Sequence, residues 1–235
     1  MRFCLRSIVA CLAMMVLPFA AGCGRGGDET AAEPAAIDGS EGGKNRSDTE
    51  TTGSASGQPS TDPLHPLVVI DTSLGKITVR LDREKAQAPL TVDNFLAYVD
   101  SGHYDQTIFH QVIKDHPRII LGGAFTPELS EKKARTPVYN EARNGLKNRR
   151  GTIAMARQAD AVHSATCYFF INLTDNEVLD YKDGTLEGYG YCVFGEITEG
   201  LGVADKIAAV PVHDIDQFER IPVETVLIRS IRQAR

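Results

Sequence analysis

Downstream of residue 66, apolar and polar positions alternate in short runs punctuated by turn residues. Val68-Val69-Ile70-Asp71-Thr72 and Lys76-Ile77-Thr78-Val79-Arg80-Leu81 flank Ser73-Leu74-Gly75, a hairpin signal. The period then lengthens. Val92, Phe95, Leu96 and Val99 fall at spacings of three and four, with Pro89 at a first-turn position and Gly102 just past the end, which predicts an amphipathic helix. A second helix fits Gly202 to Val210, with Val203, Ile207 and Val210 inward and Pro211 ending it. The remaining apolar runs are short and rich in β-branched and aromatic residues: Thr107–Ile113, Ile119–Leu121, Thr152–Ala156, Cys167–Leu173, Tyr191–Ile197 and Val223–Ile231. The pattern predicts a mainly β domain, a closed eight-stranded antiparallel barrel capped by two α-helices.

Upstream the pattern is different. Arg2 and Arg6 precede an apolar stretch from Ile8 to Ala21, too short and too interrupted by Pro18 to span a bilayer as a mature helix. Residues 1–22 read as a signal peptide. They end in Phe19-Ala20-Ala21-Gly22 before Cys23, which resembles the lipobox of bacterial lipoproteins, cleaved before the cysteine and lipidated on it. Leu17 sits further from Cys23 than the leucine of that motif, and Ala20 takes its place; the other reading is an ordinary secretory signal. From Gly24 to about Pro63 the chain is Gly, Ser, Thr, Ala, Asp and Glu with no aromatic residue. It cannot bury enough surface to offset the entropy of ordering, so residues 23–63 read as lipidated Cys23 plus a disordered tether, reaching about 30–40 Å root-mean-square. Residues 64–235 are long enough to form one domain with a real core.

Charge and cysteines narrow the chemistry. The net charge is −6, and no basic stripe is interleaved with aromatics, so nucleic acid is not an expected partner. Of five cysteines, Cys4 and Cys11 leave with the signal and Cys23 would carry lipid. Cys167 and Cys192 sit in apolar strand-like runs and read as buried free thiols, although a bridge is permitted outside the cytoplasm. No Cys/His spacing suggests a metal site, and no cofactor is expected.

The segments that carry chemistry come in one ordered series: Phe109-His110-Gln111-Val112-Ile113, Gly122-Gly123-Ala124-Phe125, Arg150 to Arg157 (RGTIAMAR), Tyr168-Phe169-Phe170-Ile171-Asn172 and Tyr191-Cys192-Val193-Phe194-Gly195. In content and order this series resembles the cyclophilin-type peptidyl-prolyl isomerases, and the likeness extends from Leu67 to Arg235. It implies the same barrel. It also implies an apolar proline pocket floored by Phe170, with Ile119, Met155 and Leu179 as walls and Tyr191 as a polar-aromatic wall. Ala156 and Arg157 stand where the family's backbone pairs with a bound peptide. By identity alone, Phe170, Met155 and Leu179 would equally suit barrel core.

The polar side departs from the family. Where the family has Phe-His-Arg-Val, with the arginine central to catalysis, this chain has Gln111. Leu121 replaces a glutamine before Gly-Gly, and Tyr168 a glutamine before Phe-Phe. Between Ile113 and Gly122 the chain is about two residues longer than usual, and Lys114-Asp115-His116-Pro117-Arg118 replaces an apolar turn; Arg118 falls near a pocket position and reads as a solvated loop residue, the alternative being that it swings in to replace the lost cation. His110 matches the family's histidine and is assigned to organising the site. The resemblance thus implies an isomerase of X–Pro bonds, weakened at Gln111. The alternative is a cyclophilin-like module that grips proline-containing segments without useful turnover. The expected partners are unfolded or exposed proline-containing chains and, through lipid, a bacterial membrane on its periplasmic side or the cell surface. A monomer is expected.

Overall fold

Strands β1 (Leu67–Thr72) and β2 (Gly75–Leu81) form the hairpin that the alternation predicts, with Leu67 opposite Arg80 and Thr72 opposite Gly75. The computed structural model describes residues 62–84 and 87–234. The signal segment, Cys23 and almost all of the expected tether lie outside the described residues. After β2 come α1 (Pro89–Asp100), β3 (Thr107–Ile113), β4 (Ile119–Gly122), β5 (Thr152–Met155), β6 (Phe169–Asn172) and β7 (Val193–Glu199). Then follow α2 (Leu201–Ala209), β8 (Val212–Ile215), β9 (Phe218–Pro222) and β10 (Leu227–Gln233). Eight strands close into an antiparallel barrel in the order β1-β10-β3-β4-β6-β5-β7-β2, as the sequence pattern anticipates.

Burial divides the barrel into two kinds of wall. β1 and β2 alternate buried and open positions, so one face meets the core and the other meets solvent. β3, β4 and β6 are buried at every position. Their inner face is core, and their outer face is covered by the long connections after β4, β5 and β6 and by β9, which lies against β3. Outward-pointing residues there are therefore enclosed as well, and it is on this covered outer face that the chemistry-bearing segments meet.

The ends of the barrel are closed by aromatic and small residues. Phe95 of α1 packs on Tyr104, Phe169 and Phe194 with centroid separations of 5.1, 5.8 and 5.1 Å. All four apolar positions predicted for α1 are buried. In α2 the inward set shifts. Ala204, Ile207 and Ala208 are buried, whereas Val203 and Val210 only flank the core, because the helix comes close enough for alanines to pack.

Two features were not read from the sequence. Val212–Ile215 and Phe218–Pro222 form a separate two-stranded hairpin turning at Asp216, which adopts φ 52°. Val223 belongs to its base, donating its N–H to Pro211 O, so the last barrel strand begins at Leu227 and not at Val223. The strands of this hairpin are too short and too mixed in polarity to stand out as periodic runs. The second feature is the cap of α1. Ala88 offers no side-chain bond and the first turn carries no acid. Glu141, from the connection after β4, supplies both. Its carboxylate accepts from the N–H groups of Leu90 (3.2 Å) and Thr91 (2.8 Å) and from the Thr91 hydroxyl (2.7 Å). It meets orphan donors and the positive end of the helix dipole at once.

Because one carboxylate serves several donors, Glu141→Ala is expected to destabilise the fold by ~1–2 kcal/mol. Glu141→Gln should recover part of the loss. Equilibrium urea unfolding checks this; a Glu141→Ala change below ~0.3 kcal/mol would show that the cap carries no stability.

Candidate active site

Strand register builds the site. Gln111 of β3 lies opposite Leu121 of β4, Leu121 opposite Phe170 of β6, and Phe170 opposite Ala154 of β5. Residues directly opposite in antiparallel strands share a face, so these side chains form one row across the barrel's outer wall. The next row on the same face carries Ile113, Ile119 and Asn172. The alternate row, Val112, Ile120, Ile171 and Ile153, points into the core. At the ladder spacing, Gln111 and Phe170 stand about 10 Å apart with Leu121 between them.

A β-bulge sets which residues of β3 face this row. Phe109 pairs with Gly122 and Gln111 with Leu121, leaving His110 as the extra residue. The slip lets Phe109 point inward onto Phe169 (6.0 Å), while His110 packs with the outer cluster of Phe125 (4.8 Å) and Tyr168 (5.8 Å). Phe218 of β9 closes that cluster against Phe125 at 5.0 Å. At Gly123, φ is +99° and an added Cβ would lie 2.7 Å from Cys167 O, so only glycine turns the chain here.

Around Phe170 the walls come from three connections. Tyr191 meets its ring edge-on at 5.6 Å, and Tyr191 N–H donates to Leu179 O at 2.9 Å, which fixes Leu179 beside it. Phe170, Leu179, Ile119 and Leu121 are nearly enclosed, Gln111 is 5% exposed and Tyr191 is half-buried. Tyr168, just before β6 and two residues from Phe170, donates its hydroxyl to Glu131 Oε1 at 2.5 Å. Burial, reinforced by that carboxylate, holds its phenol well above the usual range. Gln111 has an apolar neighbour in Leu121, which offers its amide no hydrogen bond.

Met155 departs from its expected place. It pairs with Phe169 and so turns toward the barrel core; the two-residue period of β5 gives the place beside Phe170 to Ala154 instead. Ala156 N–H donates to Tyr168 O at 3.0 Å, extending the β5–β6 ladder. The side chain of Arg157 is 4% exposed and engaged by backbone carbonyls: Nε by Gly190 (3.0 Å), Nη1 by Gln158 (2.9 Å) and Nη2 by Leu186 (2.8 Å). Its guanidinium also lies over the Tyr191 ring at 5.1 Å. Arg157 therefore braces Tyr191 through its side chain. Arg118 is half-buried, and its charge is felt by Asp205 of α2, whose carboxyl is held low by Arg150 first and Arg118 last.

Sequence reasoning missed a buried asparagine frame. Asn172 donates to Asn148 Oδ1 (3.2 Å), Asn176 donates to Asn172 Oδ1 (2.8 Å), and Asn148 donates to Leu179 O (3.0 Å). Asn176 also accepts from Arg118 N–H and donates to Arg118 O, at 3.1 and 3.2 Å. The frame holds Ile119 and Leu179 in place from behind. The only hint in the chain is polarity at the end of an otherwise apolar run, Phe169 to Asn172. A polar recess of about 350 Å³, lined by Lys147, Arg149, Asp175 and Glu177 among others, lies beyond this frame. It is solvated, mixed in charge and lacks the apolar wall that a proline ring needs. Among the described residues no group of three or more His, Cys, Asp or Glu could hold a metal ion. Cys167 and Cys192 are free, with burial pushing both thiols up to about 12.

His110 carries a pH signature. Burial pushes its pKa from 6.5 down to about 3, and its Nδ1 is buried without a partner. The fold holds the imidazole neutral. Between about pH 6.5 and 3 the unfolded chain binds the extra proton, so stability falls as pH falls through that window. Wild type should lose ~1 kcal/mol more than His110→Phe on going from about pH 6 to about pH 5. Paired urea titrations test this, and parallel pH dependence of the two proteins would mean that His110 protonates within the fold.

Comparison with known proteins agrees with this geometry. Residues 67–233 match the family described as cyclophilin type peptidyl-prolyl cis-trans isomerase/CLD. A peptidyl-prolyl cis-trans isomerase from Streptomyces antibioticus is 48% identical over 165 residues, covering 70% of this chain and 96% of that protein. Peptidyl-prolyl cis-trans isomerase B of Escherichia coli (strain K12) is 45% identical over 165 residues, covering 70% and 98%. A cyclophilin type isomerase of Cryptosporidium parvum, whose crystal structure was determined in the presence of the dipeptide Ala-Pro, superposes with a TM-score of 0.60 at 26% identity, covering 72% of this chain and 99% of that one. With the barrel order, the row through Phe170 and these matches in agreement, the chain belongs to the cyclophilin-type peptidyl-prolyl cis-trans isomerases.

Proposed function

We propose that this isomerase turns over slowly, because its polar donor is the neutral Gln111, and that it works outside the cytoplasm on a lipid tether. Rotation about an X–Pro bond is opposed by amide resonance, a barrier of about 18–20 kcal/mol, and no covalent bond need break. A catalyst has to hold the proline ring, hold the flanking backbone and favour the twisted amide, whose nitrogen has regained its lone pair. Phe170, Leu179, Ile119 and Tyr191 supply an apolar seat. Gln111 can donate to the twisted amide, but charge-assisted hydrogen bonds are about twice as strong as neutral ones. The observation that carries this reading is the row Gln111–Leu121–Phe170, which puts the amide on the same face as the pocket floor.

A second reading is favoured by the neighbours of Gln111. Leu121 is apolar and the Tyr168 hydroxyl is engaged by Glu131, so neither supplies the polar contact that the family's glutamines would. On that reading the domain binds proline-containing segments with little turnover, and clients would be held more than isomerised.

One experiment separates the two. Catalysed isomerisation and binding of an Ala-Pro peptide are measured for wild type, Gln111→Arg and Phe170→Ala. The wild type should be active, Gln111→Arg should raise kcat/KM by about one to two decades (~1–3 kcal/mol), and Phe170→Ala should lose both activity and binding. An inactive wild type that binds the peptide and is not rescued by Gln111→Arg would establish the binding module instead.

The tethered location is supported by the signal-like residues 1–22, the small residues before Cys23 and the low-complexity stretch behind it. More than one acyl chain on Cys23 would make attachment stable, whereas one alone is marginal. Cys23→Ser should move the protein from the membrane fraction to the soluble fraction, and mass spectrometry of the mature protein should find acylated Cys23 at its N-terminus. Cleavage at another position, or unchanged fractionation of Cys23→Ser, rules the anchor out.

A further inference from the structure

The carbonyl of Gly190 joins the proline pocket to a second aromatic surface. It accepts from Arg157 Nε at 3.0 Å and from Asn140 Nδ2 at 3.2 Å. Gly190 has φ +66°, and an added Cβ would stand 2.6 Å from the carbonyl carbon of Asp180, so the chain reaches this junction only with glycine. On the Arg157 side the guanidinium covers Tyr191, which covers Phe170. On the Asn140 side, the backbone N–H donates to His163 Nδ1 at 3.1 Å. His163 in turn stacks on Tyr139, with centroids 4.0 Å apart and planes 22° from parallel. Tyr189 supports both from beneath: its hydroxyl is 3.2 Å from that of Tyr139, and its ring meets His163 edge-on at 5.5 Å.

This platform is open. Tyr139 is 52% exposed and His163 is exposed, although both are fixed by partners beneath them. A pair of aromatic faces already locked in orientation binds without the ordering cost that loose surface side chains incur. Exposed rings set in fixed positions are also the usual anchors of recognition surfaces. We infer that Tyr139 and His163 form a second subsite that takes another proline of the same extended client segment. Two observations favour this occupant. The platform is linked to the proline pocket by a short chain of contacts through one shared carbonyl, which keeps the two within the span of one extended segment. Aromatic-lined surfaces also suit polyproline II segments, which are extended, stiff and rich in flat apolar rings. This rests on the reading of Phe170 as the floor of the proline pocket.

The test uses the full chain and peptides with one proline, or with a second proline two to eight residues away on either side. Dissociation constants are measured by isothermal titration or NMR for wild type, Tyr139→Ala, Tyr139→Phe, His163→Ala and Phe170→Ala. Wild type should bind the best-spaced two-proline peptide about three- to tenfold more tightly than the one-proline peptide. Tyr139→Ala and His163→Ala should erase that gain and leave one-proline binding unchanged, whereas Tyr139→Phe should keep most of it. The inference falls if no spacing gives a gain, or if the gain survives Tyr139→Ala. It also falls if Tyr139→Ala weakens both peptides equally, since the stack would then only brace the segment carrying Glu141. If Phe170→Ala leaves one-proline binding intact, or wild type binds neither peptide, the pocket reading fails and this inference with it. Loss of one-proline binding in Phe170→Ala, with no two-proline gain in wild type, overturns this inference alone.

Discussion

The β3–β4–β6 register, slipped by one residue at His110, is the constraint from which the rest of the site follows. A strand shows its two faces alternately, so a one-residue error in pairing would send Gln111 into the core and Val112 out. The bulge satisfies two demands that strict alternation cannot. Phe109 joins the inner aromatic cluster under α1, and two residues later Gln111 still lies outward in line with Leu121 and Phe170. His110 absorbs the slip. It is enclosed by Phe125 and Tyr168 and kept neutral, which is consistent with an organising role and leaves it unsuited to carry charge.

Around this row the structure relies on polar groups that bridge connections distant in sequence. Asn148, Asn172 and Asn176 tie the ends of β4 and β6 to the turn carrying Leu179. Glu141 ties the connection after β4 to the N-terminus of α1. Arg157 is the most telling of these braces. A buried guanidinium is normally compensated by a carboxylate, but here the hydrogen-bond partners are main-chain carbonyls with an aromatic ring beneath the plane. Its orientation is fixed by the fold, and it holds Tyr191 against Phe170 with it. An amide or lysine at this position would not reach the same set of acceptors.

The chemical character of the site follows from what these constraints leave. The apolar row around Phe170 is well supported, and the amide of Gln111 on the same face is neutral. The positive charge of Arg157, over the Tyr191 ring, is already engaged, while that of Arg118 is shared with Arg150 in the field around Asp205. Holding a proline ring and stabilising a twisted amide are separate tasks, and on the proposed reading the first falls to the apolar row and the second to a neutral amide.

The barrel and most of its elements were legible in the sequence because they depend on local periodicity. Alternation in β1 and β2, the three-and-four spacing in α1 and the ordered motif series each encode an element within a few residues of itself. Gln111 and Phe170 could be named as candidate site residues from their motifs. The sequence could not decide which face each residue took once both faces were buried. Alternation of polarity disappears in β3, β4 and β6, and β5 is buried at every position but Thr152, so Met155 looked as fit for the pocket wall as Leu179, and only pairing with Phe169 turned it inward. The hairpin at Val212–Pro222 was likewise hidden by short, mixed runs. Apart from the Asn176–Asn172 bond, the remote cap at Glu141, the asparagine frame and the junction at Gly190 join residues from about twenty to more than fifty positions apart. No local pattern records such contacts: an asparagine or arginine side chain reads as surface until the folded chain brings carbonyls to it.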